Sequence, residues 1–427
     1  MNTVEFSSLL KSVKLLRALN ARGYSEATPI QAQSIPHLIE GRDLLGIAQT
    51  GTGKTAAFAL PMLQKLDSLE DRPQPRRPRS LILAPTRELV LQILEEFALL
   101  GKHTGVRCVK VIGGVGAQPQ VKALSTGCDV LIATPGRLLD LANSRHVDLS
   151  QVATLVLDEA DRLLDMGFIR DVKKIIKMTP DRRQTLLFSA TMPKEVAELA
   201  REILKNPIRV DVSPKQVTVD KIDQRVVHVS NGDKQRMLET MLHAKEVTRA
   251  IVFTRTKHGA NKVAKKLEQA GIVAEAIHGN KSQAARQRAL ASFKNGDCWV
   301  LVATDIAARG IDVSGVSHVF NHELPHEPES YVHRIGRTAR AGADGVAVSL
   351  VDSSERPRLQ AIEKLIKHTL SKVTVDLPPI DPSSVVVNPV HLARPVTRSQ
   401  PTARAGGQEP GRRRRRRRAN NTGTARV

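Results

Sequence analysis

TLVLDEAD, residues 154–161, runs four strand-forming residues straight into a pair of acids. A short apolar run rich in Leu, Val and Ile and closed by polar residues reads as a strand buried on both faces, as in a parallel sheet covered by helices. The pattern recurs before it in LILAPT (81–86) and VLIATP (130–135), and after it in TLLFSAT (185–191). A second series follows a break: AIVFTRT (250–256), AEAIHG (274–279), WVLVATD (299–305), HVFNHE (318–323) and GVAVSLV (345–351). Helix-like stretches such as GANKVAKKLEQAG (259–271) lie between the runs. This alternation predicts an α/β chain of two tandem, doubly wound parallel-sheet domains. Most runs end on a polar residue: Thr86, Thr134, Asp158, Ser189, Thr254, His278 and Thr304. Ligands in open α/β sheets bind beyond the carboxyl ends of the strands, so a cleft lined by both sheets is expected.

The break falls in NPIRVDVSPKQVTVDK (206–221), which has two prolines and no helical period. The domains are therefore expected at 1–208 and 221–370, joined by a linker at 209–220 and followed by a tail at 371–427. At the amino end, Phe6, Leu9, Leu10, Val13, Leu16 and Leu19 mark one helical face, which reads as an ordinary first helix. The stretch has no apolar core of a secretory signal, no segment is long and apolar enough to span a membrane, and a cytoplasmic location follows as the default. Cys108, Cys128 and Cys298 stand apart with no C-x-x-C pair, which excludes a disulfide framework and a zinc ribbon. His278 and His333 have no third ligand at a telling spacing, and Trp299 reads as core. The PQPRRPR stretch (73–79) reads as a surface loop.

A net charge of +22 over 427 residues points to a polyanionic partner. Aromatics make up only 3% of the chain, too few for a base-stacking platform, so contact with a nucleic-acid backbone is favoured. From Val385 onward there are eleven Arg, no Lys and one acid, Glu409, which places +10 of the charge in this segment. Such a composition cannot offset its chain entropy by burial and is expected to be disordered. The run Arg412 to Arg418 reads either as a solvated tail or as an RNA tether working by counterion release, and the tether is favoured.

Three segments carry chemistry. In AQTGTGKT (48–55), Gly51 and Gly53 permit tight turns whose amides can cradle phosphate at a helix start. Lys54 would reach the β- and γ-phosphates and the Thr55 hydroxyl a Mg²⁺ ion. Ala48 stands where the general phosphate-loop pattern has its first Gly. Asp158 and Glu159 follow a buried strand, Asp158 placed to hold Mg²⁺ partly through water and Glu159 to deprotonate the attacking water. In HRIGRTAR (333–340), Arg337 and Arg340 lie three apart and are expected on one helical face, as arginine fingers supplied by the second domain. A solvated basic helix is the plainer alternative.

Together these residues resemble the DEAD-box ATP-dependent RNA helicases over roughly residues 6 to 365, and the resemblance implies two RecA-like domains. It also implies that Phe6 and GYSEATPIQ (23–31) read adenine, with Tyr24 stacking on the base and Gln31 bonding its edge. AQTGTGKT resembles the family's first motif, Ala included, which adds Gln49, Thr50 and Thr52 to the ATP contacts. PTREL (85–89), Gly113–Gly114 and TPGR (134–137) resemble its RNA-backbone motifs. In the second domain VFT (252–254), Gln283 with Arg286, and ATDIAARGID (303–312) resemble its later motifs. The RNA contacts implied are Pro85, Thr86, Arg87, Gly114, Thr134, Arg137, Arg162, Gly279, Arg286 and Thr304. Asp305 is expected on the ATP ribose, and Asp161, SAT (Ser189 to Thr191) and His333 in coupling ATP to RNA. Ala339 departs from the Gly usual in motif VI, and its methyl is tolerable if that position is helical. The short leader, compact core and basic tail look most like the bacterial RhlE-type enzymes. The expected activity is RNA-stimulated ATP hydrolysis with local unwinding of short duplexes by a monomer, in ribosome assembly or RNA turnover. An ATP-gated RNA clamp or annealer and a DNA-directed helicase stay open as alternatives.

Overall fold

The computed structural model describes residues 4–49, 51–212, 222–308, 313, 315–339 and 344–377. Two seven-stranded sheets organise the described chain, and every pairing within them is parallel. The first runs, edge to edge, Cys108–Val111, Val130–Ala133, Ser80–Leu83, Thr154–Leu157, Gln184–Ser189, Leu44–Ile47, Ile208–Asp211. The second runs Ala274–Ile277, Val300–Thr304, Ala250–Thr254, His318–Asn321, Gly345–Val351, Ile222–His228, Ser371–Lys372. A two-stranded antiparallel ribbon pairs Val4–Glu5 with Glu26–Ala27.

Why the apolar runs read without alternation is visible in the packing. Leu44, Ile82, Ile132, Val156 and Leu186 face one helical layer with Phe58 and Phe97. Their neighbours Leu81, Leu131, Leu155 and Leu187 face the other layer, with Leu138, Val172 and Leu199. Helices fill the crossovers with local start and stop signals. Thr86, Thr256 and Ser282 cap theirs by accepting from Leu89, Gly259 and Ala285 amides, and Gly296 ends Gln283–Asn295 in a left-handed conformation at φ 84°. Gly46 is required mid-strand because a Cβ there would meet the Phe188 ring at 2.6 Å. Trp299 is core, as expected, and Arg77 and Arg79 of the PQPRRPR loop are paired to Asp148 and to Asp71 and Asp129.

Several boundaries differ from those expected. The segment read as linker begins inside the first sheet, because Ile208–Asp211 pairs with Leu44–Ile47; residues 213–221 lie outside the described residues. Residues 371–377 belong to the second domain rather than the tail: Ser371–Lys372 pairs with Ile222–His228, and Val373, Val375 and Leu377 pack on its core. The Arg-rich stretch falls outside the described residues. The first helix is broken into Phe6–Leu9 and Val13–Asn20, which turns Val13 outward at 78% exposure and brings Leu15 into the core. The HRIGRTAR segment is not one helix, since Pro328–Ile335 stops at a Gly336 cap and Arg337 follows in a turn. Arg337 therefore does not lie on that helix, and Arg340 lies outside the described residues. Nor is Ala339 helical: its φ of 53° is left-handed, where a methyl group costs energy.

Candidate active site and RNA-facing cluster

Loops at the carboxyl ends of the first sheet's strands carry the site. The loop after Leu44–Ile47 turns through Gly51 and Gly53 at φ 86° and 88° and opens the helix Lys54–Asp67. A Cβ at Gly53 would collide with the Gln31 amide. Gln31 accepts from Thr28 N at 2.8 Å and donates to Gly53 O at 3.0 Å, while Thr28 Oγ1 donates to Thr52 O at 2.8 Å. Thus Gln31, expected at the adenine edge, here fastens the amino-terminal segment to the phosphate loop. Lys54 is buried, its Nζ donating to Ala48 O at 2.9 Å, and Thr52 Oγ1 closes the turn on Gln49 O at 2.8 Å. Thr50 lies outside the described residues.

The loop after Thr154–Leu157 carries the acids. Asp158 Oδ1 accepts from Glu159 N at 3.0 Å, and Glu159 sits at φ 51°, a left-handed conformation rare for a side-chain-bearing residue and typical of functional turns. Burial pushes the Asp158 carboxyl up to about 6, against the pull of Lys54 and with the push of Glu159. The buried Asp158 carboxylate and the Thr55 hydroxyl line the same cleft and are hard-oxygen donors suited to Mg²⁺ shared with phosphate oxygens and water. Among the described residues no cluster of three or more His, Cys, Asp or Glu forms a cage for a metal by itself. Phe6, Tyr24, Gln31, Gly51, Gly53, Lys54, Thr55, Asp158 and Glu159 all line one cleft of about 520 Å³. Tyr24 is 45% exposed at its mouth with the Arg22 guanidinium 4.9 Å over its ring, and Arg22 is in turn tied to Glu96 at 3.0 Å.

Asp161 links this cleft to the SAT loop. Its Oδ2 accepts from Ala190 N at 3.2 Å and from Thr191 N and Oγ1, both at 2.9 Å. Asp161 N donates to Ser189 Oγ at 3.2 Å, and Ala48 N to Ser189 O at 3.0 Å, so three loops share one network. Burial alone would raise the Asp161 carboxyl, but Lys54, Arg162, His333 and the Thr191 bond outweigh it and hold it below its ordinary value. His333, a residue of the second sheet's domain, thus stands within electrostatic reach of Asp161.

The residues expected at RNA divide. Arg87 packs over Gly114, where any Cβ would strike its guanidinium. Burial, then Arg286, lower its proton affinity; Glu88 opposes them and Arg137 adds to them. Arg87, Arg137 and Arg286 therefore form one crowded cationic group drawn from both domains, the electrostatic form of a polyanion site. It is knitted across the domains: Arg286 pairs with Glu88 at 2.9 Å, Gln283 Nε2 donates to Glu88 Oε1 at 3.0 Å, and Arg87 Nη1 to Gln283 Oε1 at 3.4 Å. Gly279 is exposed in the loop after Ala274–Ile277, and Thr134 and Thr304 are nearly buried at strand ends. Pro85 and Thr86 are buried too, with the Thr86 hydroxyl spent on its helix cap, so they place Arg87 rather than present themselves.

Three residues are held otherwise than expected in this structure. Arg162 is 2% exposed and ion-pairs with Glu159 at 2.6 Å, so it is turned into the acid cluster and away from RNA. Asp305 is not open toward a ribose: Arg334 grips both its oxygens at 2.6 and 2.8 Å. Arg337 is buried, its Nε donating to His333 O at 3.2 Å, and neither it nor Asp305 lines the nucleotide cleft. Arg334 went unsingled in the sequence although it lies inside HRIGRTAR. Fully buried, it also donates to Asn321 Oδ1 at 3.0 Å and Glu323 O at 2.6 Å and stacks 5.1 Å over Phe253. Three Arg in eight residues were visible; which of them turns inward was not.

Comparison with known proteins agrees with this geometry. Residues 28–199 match the DEAD/DEAH box helicase family and residues 233–342 the helicase conserved C-terminal domain. The DEAD-box ATP-dependent RNA helicase CshA of Bacillus cereus is 44% identical over 88% of this chain and 70% of its own length. CshA of Listeria monocytogenes is 45% identical over 86% and 69%. Among solved structures, S. cerevisiae Dbp5 bound to RNA and ADP BeF3 superposes at TM-score 0.78 with 32% identity, covering 87% of this chain and 96% of that one. The DEAD-box helicase Mss116 bound to ssRNA and UDP-BeF gives TM-score 0.78 with 29% identity, covering 88% and 81%. With phosphate loop, acids and cationic cluster in place, the chain belongs to the DEAD-box ATP-dependent RNA helicases, enzymes that hydrolyse ATP and act on RNA.

Proposed function

We propose that this helicase hydrolyses ATP in response to RNA and opens short duplexes locally, reading backbone rather than sequence. The observation that carries the reading is the joint placement of Lys54, Thr55, Asp158 and Glu159 on one cleft, with Asp161 bonded to the SAT loop. Lys54 would exchange its bond to Ala48 O for phosphate oxygens, and the Gly51 to Gly53 turn would supply amides to them. Thr55 and Asp158 would hold Mg²⁺, which supplies charge neutralisation at the phosphates. Glu159 would take the proton of the attacking water, and Tyr24 would stack on adenine. Arg337 and Arg340 would reach the phosphates after a rearrangement of the second domain's motif VI, and Asp305 would reach the ribose through the oxygen lone pairs Arg334 leaves. Arg87, Arg137 and Arg286 would grip the RNA phosphates, with Gly114, Thr134, Gly279 and Thr304 beside them. Sparse aromatics agree with phosphate and 2′-hydroxyl contact. A cytoplasmic role in ribosome assembly or RNA turnover, as a monomer acting on RNA alone or on a ribosomal precursor, fits this chemistry.

The test is ATP turnover with and without single-stranded RNA, with DNA as comparator. RNA alone should stimulate it, and Glu159→Gln should bind ATP and RNA while turnover falls about a hundredfold or more. Equal stimulation by DNA, or an unimpaired Glu159→Gln, would refute the reading.

A further inference from the structure

Glu159 makes one strong contact. Its Oε2 lies 2.6 Å from Arg162 Nη1, with side-chain exposures of 4% and 3%, and its Oε1 has no hydrogen-bond partner among the described residues. Glu159 lines the nucleotide cleft and Arg162 does not. The guanidinium therefore grips the carboxylate from behind and leaves one oxygen for the cleft. The pair spans one turn, because Glu159 is the left-handed cap residue just before the helix Ala160–Asp165 that carries Arg162.

Alternative roles for Arg162 are weaker. Contact with RNA is opposed by its burial. General charge balance is part of its effect, since Asp158 and Asp161 both feel it, yet neither is bonded to its guanidinium, whereas Glu159 is. Lys54 is another cation at these acids, and its ammonium donates to Ala48 O of the phosphate loop. Without Arg162, no other side-chain contact among the described residues would keep the Glu159 carboxylate from swinging toward Lys54. We infer that Arg162 is a positioning residue for hydrolysis: it fixes Glu159 by one oxygen so that the other meets the attacking water.

The inference rests on Glu159 being the base, and a mutant cycle separates the two. In the full-length protein, Arg162→Gln should lower RNA-stimulated kcat about 10- to 100-fold, the cost of misplacing a reacting group by about 1 Å. The KM for ATP and the RNA affinity measured with a non-hydrolysable ATP analogue should stay within about twofold. Arg162→Lys should recover part of kcat, keeping the charge without the planar fork. In a Glu159→Gln background, adding Arg162→Gln should cost no more than about twofold, because the residue it positions is already gone. A full further loss in that background, a kcat equal to wild type in Arg162→Gln, or a loss confined to KM or RNA affinity overturns the inference. If Glu159→Gln alone keeps its turnover, the base assignment fails first. Should Arg162→Gln not fold, as judged by melting, Arg162→Lys carries the same cycle.

Discussion

Replacing Asp158 by Asn should stabilise the nucleotide-free protein while ending its catalysis. Asp158 is 2% exposed, and its carboxyl is pushed up to about 6, chiefly by burial, from an ordinary 3.8. A raised acid gives stability that is fully present below the unfolded value of 3.8 and lost as pH rises through about 6. Above pH 6 the ionised carboxylate is thus a cost to the fold. About two pH units correspond to about 3 kcal/mol, an upper figure that Asn escapes because it does not titrate. Asn keeps an oxygen to accept from Glu159 N, which Asp158 does at 3.0 Å. Melting in excess chelator and without nucleotide should therefore show the first domain of Asp158→Asn several degrees higher at pH 8, at about 2–4 °C per kcal/mol. The gain should shrink to about half at pH 5 and to about a fifth at pH 4, by the same proton linkage. A variant melting below wild type at pH 8, or a gain independent of pH, would show that Lys54 compensates the carboxylate fully and that the site stores no such cost.

Two further outcomes follow from other parts of the chain. Ala339→Gly should raise the stability of the second domain by about 0.5–1 kcal/mol, because relief of a left-handed alanine exceeds the added chain entropy of glycine; urea unfolding that shows no gain, or a loss, refutes the strain. Deleting residues 385–427 should weaken RNA binding and flatten its dependence on salt, by up to about five units of log–log slope if all of Arg412 to Arg418 meet phosphates. An unchanged slope in the truncated protein would leave those arginines as a solvated tail.

The fold was legible where burial was complete. Runs such as VLIA at 130–133 are covered on both faces, and composition alone marks them. Ile208–Asp211 and Ser371–Lys372 were missed because they are short, largely exposed sheet edges whose identity comes from the partner strand. The contiguous motifs were legible for a related reason: a strand end, a Gly turn and a helix start fix Lys54 and Asp158 locally. Long-range packing decides the rest. Nothing in the spacing of HRIGRTAR tells that Arg334 rather than Arg337 meets Asp305, and nothing in DEADR tells that Arg162 folds back one turn onto Glu159. Gln31 turning to Gly53, 22 residues away, is a contact of the same kind. The finer RhlE-type resemblance rested on the short leader, the compact core and the basic tail, of which leader and tail lie outside the matched regions at 28–199 and 233–342.

The two halves of the site hold charge at a cost. At one end burial raises the Asp158 carboxyl against the pull of Lys54, and at the other Arg87 is crowded by Arg286 and Arg137. On the proposed reading a magnesium–nucleotide would relieve the first and an RNA phosphate the second, each removing a cost held in the free protein. The costs are not independent. Asp161 and the SAT loop join the acids to the phosphate loop, His333 reaches Asp161 from the second domain, and Glu88 bonds Gln283 and pairs with Arg286 across the domains. On the proposed reading, whatever draws the domains into register for one ligand would prepare the other site. Binding free energies around such a cycle must close, so the factor by which an ATP analogue tightens RNA must equal the factor by which RNA tightens the analogue. Titrating each ligand with and without the other, in Glu159→Gln to stop turnover, measures both factors. A factor near one in both directions would mean the two charge clusters are relieved separately, and the Asp161 network would then be a structural brace rather than a coupling.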